Sequence, residues 1–438
     1  MSTMQVHTEH LGNGATLLLL PDDRFASIQI KLWYAASLQA ERLTSAALLP
    51  MVLKRGNAMY PSQRELAMQL EALWGAELQS SVMNAAGRHL TSFEIDCTDP
   101  RFLPEDGKDL LRHAMRLIAD LVQSPYMPSG VFSPDTVREE KNTLLNTLER
   151  QRNNRSSYAM TRLMELLYPG EAYGLSRLGS TDQLQLITPE VLGDYYRSFA
   201  REAQLTIGIT GAFDIGEVRS MANEVFHHGA GDPLVLPKRP KNHSAEVNHI
   251  YEALPAAQSH LLMAFSSEIG YNDLLSLPMV FANSLLGAYA HSKLFRSLRE
   301  DAGLAYSVWS SVDRFQGTIV AHAGLLEEKA PEAEDLVRAA VGEIQRGEIS
   351  DDEWQMTQET LLDQYRQVID DSDSLLEYHY LSMLLERPLS IEETMEAIRT
   401  MSRDEVCQAA KRLQLHTVYL LAGQEGDCED ADEEMEDA

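Results

Sequence analysis

The histidines and cysteines that could bind a metal or attack a bond do not have the spacing that either task requires. His227 and His228 are adjacent at a helix end and point in different directions, while His243 and His249 lie in or beside a linker. No cysteine or acidic residue recurs beside them at ligand spacing, so they do not make the clustered donor set of a zinc site. Cys97, Cys407 and Cys428 are far apart and odd in number, which reads as reduced thiols rather than disulfides or a metal cluster. Neither a Gly-x-Ser-x-Gly nucleophile elbow nor a phosphate-cradling glycine loop occurs. Hydrolysis by this chain alone is therefore not expected.

The elements that would position any site follow from periodicity. "GATLLLLP" and "FASIQIKLWYAA" are strand-like, the second alternating Ile28, Ile30 and Leu32 with polar or small neighbours. A helix is expected from Ser62, because Glu65 stands three residues after a possible N-cap and Leu66, Leu70 and Leu73 continue one apolar face. "HLTSFEIDC" is a further strand, and "EDGKDLLRHAMRLIADLV" a helix. "SPDTVREEKNTLLNTLERQRNN" is a second helix, with Ser133 at its cap and Pro134 in its first turn, where a missing N–H costs nothing. Helices interleave with strand pairs, without the regular strand-helix alternation of a parallel sheet, which points to an α+β chain.

At 438 residues the chain exceeds the size at which one core stops growing, so two domains are expected. The formal net charge is -29, and the last stretch, "EGDCEDADEEMEDA", holds nine acidic residues and no basic one. The rest of the chain therefore keeps about -20, and a surface of that sign repels nucleic acid and anionic lipid while attracting basic peptide. No run of 18 apolar residues exists, and "MSTMQVHTEHLGNG" has neither a basic nor an apolar signal region, so a cytoplasmic location without membrane or nucleic-acid partners is expected.

An internal repeat organises the chain. "NTLLNTLERQRNNRSSYAMTRLMELLYP", beginning at Asn142, recurs in outline from Glu359, and "TPEVLGDYYRSFAREAQLTIGITG", beginning at Thr188, recurs from Ser402. Two matches in the same order at nearly constant offset indicate a duplicated domain. The expected division is 1–228, a linker at 229–242, a second domain at 243–424, and a disordered acidic tail at 425–438.

Two segments, "SKLFRSLREDAGLAYSVWSS" (292–311) and "YGLSRLGSTDQLQLITPEVLGDYY" (173–196), together with the duplication, resemble the pitrilysin/insulinase (M16) family of metallopeptidases, which includes the mitochondrial processing peptidase. The resemblance runs over essentially the whole chain up to the acidic tail. It implies two homologous α+β domains, each a mainly antiparallel sheet packed against helices in the insulinase/LuxS-like metallohydrolase fold, and pairs of such chains closing around a peptide-holding chamber.

Active members carry His-x-x-Glu-His on a helix, two zinc ligands one turn apart with a base beside them, and a third ligand Glu on a later helix. With Gly56 matched to the glycine after that motif, "LTSAALLPMVLKRG" places Ala47 and Met51 at the histidine positions and Pro50 at the base. Ala47 has no donor, Met51 offers a soft thioether, and Pro50 cannot accept a proton and should kink or end the helix. In "EEKNTLLNT" the first Glu of the second pattern is Glu140, but the ligand position seven residues on is Thr147. Glu149 sits about 200° further around the helix, and a solvated helix carboxylate is the expected role of Glu140.

The resemblance also implies peptide contacts. Arg299 and Tyr306 in "REDAGLAY" match, in type and spacing, a pair that reaches the peptide from the second domain. An arginine fork can hold a carbonyl or carboxylate and a tyrosine hydroxyl can serve an oxyanion; the alternative is an Arg299 ion pair and a packed Tyr306. "GAELQSSV" matches the peptide-binding edge strand, making Glu77, Gln79, Ser80 and Val82 candidates for pairing an extended peptide through backbone hydrogen bonds. Trp74 before it is expected in the core.

The chain thus resembles the non-peptidase subunits of bacterial insulinase-like pairs, comparable to the alpha subunit of the mitochondrial processing peptidase. That bacterial group, whose lost motif is echoed by "LLPMVLKRG", is associated by name with modification of elongation factor P. The expectation is a non-catalytic peptide-binding subunit of a heterodimer, its partner an active zinc-containing relative that carries the only zinc, with self-association as a further possibility. Its ligand would be a peptide or an unfolded protein. The alternatives are a scaffold without peptide binding and a metallopeptidase with a non-standard site.

Overall fold

A computed structural model describes residues 6–227, 231, 246–255, 258–385 and 388–424. The expected linker at 229–242 lies outside these residues apart from Gly231, and so do His228, His243, Cys428 and the acidic tail. Among the described residues no helix is long and apolar enough to cross a membrane.

Two compact units make up the chain, and neither is one continuous stretch. The first comprises Met1–Arg150, Leu175–Pro237 and Val368–Leu384, the second Gln151–Gly174, Lys238–Gln367 and Leu385–Ala438. A single cut in a linker therefore follows the chain order but not the packing, because each unit contains one helix from the other half of the sequence.

The first unit is built on a six-stranded sheet of β1 (His7–His10), β2 (Thr16–Pro21), β3 (Ser27–Ser37), β4 (Glu77–Ala85), β5 (Arg88–Thr98) and β6 (Gln204–Gly211), in the order β1-β2-β6-β3-β5-β4. Only β2 and β6 run parallel. The second unit has β7 (Asn248–Pro255), β8 (Ser259–Ser266), β9 (Ala305–Asp313), β10 (Thr318–Leu325) and β11 (Gln414–Gln424), in the order β7-β11-β8-β10-β9, with only β7 and β11 parallel. With β1 set aside the two plans are the same, so the duplication read from two helices extends to the sheets.

The helices repeat as well. Pro134–Asn153 and Asp351–Asp370 are both 20 residues long and hold corresponding places in the two halves of the sequence. After one capping residue each, Asn154 and Asp371, the helices Arg155–Leu167 and Ser372–Ser382 follow at the same offset. Both caps accept the N–H three residues on, which satisfies an orphan donor of the first turn. The capping box at Ser62 and Glu65 is present as well, opening the helix Gln63–Ala72.

These second helices cover the outer faces of the sheets. In β3, Ile28, Ile30, Leu32 and Tyr34 join the main core with helices Leu43–Leu53 and Leu110–Gln123. Gln29, Lys31 and Trp33 point the other way, as the two-residue period requires, yet they too are buried. Helix 372–382 lies over them: Tyr380 stacks on Trp33 with ring centres 4.4 Å apart. Gly208 of β6 allows this approach, since a Cβ there would collide with the Trp33 ring. In the second unit helix 155–167 covers Leu262, Val320, Tyr419 and Leu421, and Glu252 accepts from Tyr158, Arg162 and Tyr419.

Candidate functional site

The helix Leu43–Leu53 runs through Pro50 to Leu53, so of the two expected outcomes, a kink or an end, the proline does not end it. Proline removes one N–H, the partner of the Ala46 carbonyl, and every residue of this helix except Met51 is buried. Packing outweighs the loss of a single hydrogen bond. Ala47 lies inside the main core and Met51 packs against it, so both histidine positions of the zinc motif are occupied by hydrophobic packing.

Glu140 corrects a second expectation: it is not solvated. Its side chain is 5% exposed and binds the guanidinium of Arg55, which stands four residues after Met51 and also reaches Gln63. Glu139 lies 3.9 Å from the same guanidinium. A buried carboxylate needs such a partner. Thr147 spends its hydroxyl on the Thr143 carbonyl at 3.0 Å and accepts from Arg150 at 3.3 Å, and Glu149 is exposed.

Zinc does not fit this set. Position 47 has no donor, the half-buried Met51 thioether packs against the core, the Thr147 hydroxyl is turned to its own helix, and the remaining carboxylate already holds a cation. Among the described residues no group of three His, Cys, Asp or Glu side chains could hold a metal ion. His227 is exposed beyond the helix Ile215–Val225, and His249 is on β7, beside Glu334 at 3.3 Å. Cys97 and Cys407 are buried free thiols, and burial pushes the Cys97 thiol up to about 12.

Arg299 belongs to the π-helical turn Phe295–Asp301 and is exposed, its guanidinium over the Phe295 ring at 5.0 Å. It makes no ion pair among the described residues. Tyr306 is the extra residue of a β-bulge: β10 pairs Gly324 with Ser307 and Leu325 with Ala305, leaving Tyr306 without an opposite residue. A bulge on an edge strand re-aims one side chain, and Tyr306 is 56% exposed as a result. Neither the ion pair nor the packed tyrosine of the alternative reading is found.

β4 is the outermost strand of the first sheet, hydrogen-bonded on one side to β5. Glu77, Gln79 and Ser81 are exposed; Ser80 is half-buried, and Val82 packs on the core. The side chains available to a ligand on this strand are therefore Glu77, Gln79 and Ser81, whereas Ser80 and Val82 belong to the packed face. Trp74 is not in the core. It is 44% exposed with φ of 59°, a left-handed conformation rare for a bulky residue, followed by Gly75 at 76°.

A hollow that the sequence did not signal opens where β3 ends and helix 43–53 begins, walled by the start of β5 and helix Pro189–Glu202. Arg42, Arg88, His89 and Glu202 reach it, with Arg42 and Glu202 3.5 Å apart. Burial brings His89 down to about 4 despite its contact with the Arg177 carbonyl, so this ring is neutral.

Two sheets of one plan, each closed by helices, with vacated ligand positions on the first helix, define a two-domain peptidase-like fold without a zinc site of the family's kind. Residues 186–361 match the family model described as the peptidase M16 inactive domain. The chain is 25% identical over 413 residues to the probable inactive metalloprotease YmfF of Bacillus subtilis, covering 94% of this chain and 97% of that protein. Other bacterial relatives are described as uncharacterized zinc proteases. A conserved protein of Enterococcus faecalis V583 superposes with a TM-score of 0.90 at 24% identity, covering 96% of this chain and 99% of that one. A peptidase M16 inactive domain structure from Pseudomonas fluorescens superposes with a TM-score of 0.78 at 19% identity, with the same coverage. The chain is thus similar over most of its length to proteins described as M16 peptidases and as their inactive homologues, and it shares their two-domain fold. The family-model match begins well after Met51, so the missing ligands rest on the residues themselves.

Proposed function

We propose that this chain is a non-catalytic, peptide-binding subunit that pairs with an active, zinc-containing M16 relative and contributes no chemistry of its own. The observation that carries this reading is the open edge of β4, with Glu77, Gln79 and Ser81 exposed beside a row of unpaired backbone groups. Such an edge accepts an extended peptide by main-chain hydrogen bonding. The exposed Arg299 and the bulged Tyr306 support it, since both are kept available at the cost of regular strand pairing and ion pairing.

The test is reconstitution. The pure chain is mixed with an active M16 relative from the same genome, and complex formation, peptide binding and peptide turnover are measured separately. Turnover that needs both chains, and falls at least several-fold with Arg299→Glu while the complex still forms, supports the reading. Assembly with unchanged turnover and no peptide binding replaces it with a scaffold role. Zinc uptake and cleavage by the pure chain would overturn it.

A further inference from the structure

The outer face of the first sheet beside β4 holds more acceptors than donors. Two cross-strand rows run inward from the edge. In one, Glu77 lies opposite Asp96 and Asp96 opposite Gln29; in the other, Gln79 lies opposite Glu94 and Glu94 opposite Lys31. Gln29, 2% exposed, donates its amide N–H to Glu94 at 2.5 Å, so its amide lies among these carboxylates, and its Oε1 has no donor. Lys31 is the cation of the two rows, and it is already shared by Asp373, by Glu94 at 3.4 Å and by Glu377 at 3.6 Å.

The carboxylates respond to that imbalance. Burial raises Glu94 above the usual carboxylate range against the pull of Lys31, and burial with the nearby Glu77 charge raises Asp96 even though Ser27 bonds to it. A cation placed beside Asp96 would favour its charged form.

We propose that the peptide strand received by β4 carries a lysine or arginine opposite Glu77, whose charged end serves Glu77 and leans across it toward Asp96. This rests on the peptide-binding reading above and names the ligand class for it. Directly opposed residues have Cβ atoms about 4.5–5.5 Å apart, and the next strand lies about 4.8 Å further, so only a long side chain can meet both carboxylates. The single bonded edge of β4 and the uncompensated charge are independent observations that lead to the same occupant.

The test compares two fluorescent peptides of equal length rich in Thr and Val, one with Lys and one with Gln at a central position, by anisotropy against the full chain. The expected result is binding at least 5-fold tighter for the Lys peptide at low salt, with the ratio shrinking as salt rises. Glu77→Gln and Asp96→Asn, each checked for an unchanged unfolding midpoint, should bring that ratio to within about 2-fold. Glu332→Gln, an exposed acid on a helix of the second unit, should leave the ratio as it was, separating this recess from the charge of the whole chain. Equal binding of both peptides, or a ratio insensitive to Glu77→Gln and Asp96→Asn, overturns the inference while leaving peptide binding intact. Binding of neither peptide overturns both.

Discussion

Arg55 and Glu140 face each other across two helical segments, the arginine just past the helix that carries Ala47 and Met51, the glutamate on the helix that carries Thr147. Glu140, which the resemblance aligns with the first Glu of the second motif, is matched by a cation from the protein itself. Where the resemblance would place zinc, the protein holds an ion pair with a buried carboxylate and a partly exposed arginine.

Removing the cation should be costly. Arg55→Ala leaves a buried carboxylate without its partner, and a loss of about 2–4 kcal/mol in unfolding free energy is expected from urea titration. Glu140→Gln keeps an acceptor and removes the charge, so it should cost less, and the double variant should cost less than the two single losses added together. Strict additivity would mean that the two side chains do not interact.

Restoring the histidines should not restore the metal. Ala47 is buried in the core, so Ala47→His overfills it, at an expected cost of about 1–3 kcal/mol, while Met51→His replaces a half-buried thioether with a polar ring of no greater volume. Elemental analysis of the purified double variant should find no stoichiometric zinc, because the third carboxylate and the base are still missing. Stoichiometric zinc would show that position 147 is dispensable.

Separating the halves should expose both outer sheet faces. Residues 1–228 expressed alone lack helix 372–382, so Trp33, Lys31 and Gln29 lose their cover. The fragment is expected to aggregate or to bind hydrophobic dye, and co-expression with residues 229–438 should rescue it. A monomeric fragment with a cooperative thermal transition would show that the exchanged helix is dispensable.

Acid should weaken the fold in two stages with the same sign. His322 stacks on Trp309 and shares a hydrogen bond of 3.0 Å with His260; burial, with the His260 charge, brings it down to about 3. His89 is brought down to about 4. The unfolded chain takes up protons near 6.5 that the folded chain refuses, so stability falls as pH drops below 6.5. Glu353 adds a lower stage. Burial alone would raise it, but the Ser350 N–H, Lys293 and Arg296 outweigh burial and bring it to about 2, so its contribution is lost between pH 4.5 and 2. In chemical unfolding at stepped pH, His89→Gln and His322→Gln should flatten the upper slope and Glu353→Gln the lower one.

Local pattern carried much of the architecture. The capping box at Ser62, the helix that starts after Ser133, the repeat of a long helix followed by a short one, and the strands around Leu18, Ile30 and Phe93 follow from residue type and period, which act over a few positions. The edge placement of the 77–82 segment agrees with the resemblance. What local pattern could not supply is the partner of a side chain far away in the chain. Glu140 on a mostly polar helix looks solvated until Arg55 is brought to it, and Trp74 looks like core until the turn at Trp74 and Gly75 leaves it exposed.

By itself the sequence determined that no zinc ligand stands at positions 47, 50, 51 and 147, because packing cannot add a donor atom to alanine or a second role to a proline ring. It also determined the duplication. Only the tertiary structure decided which helix closes which sheet, that Tyr306 is thrown outward by a bulge, and that Trp33, near the start of the chain, is paired with Tyr380, near its end. These outcomes depend on contacts between distant segments, whose geometry leaves no local period in the chain.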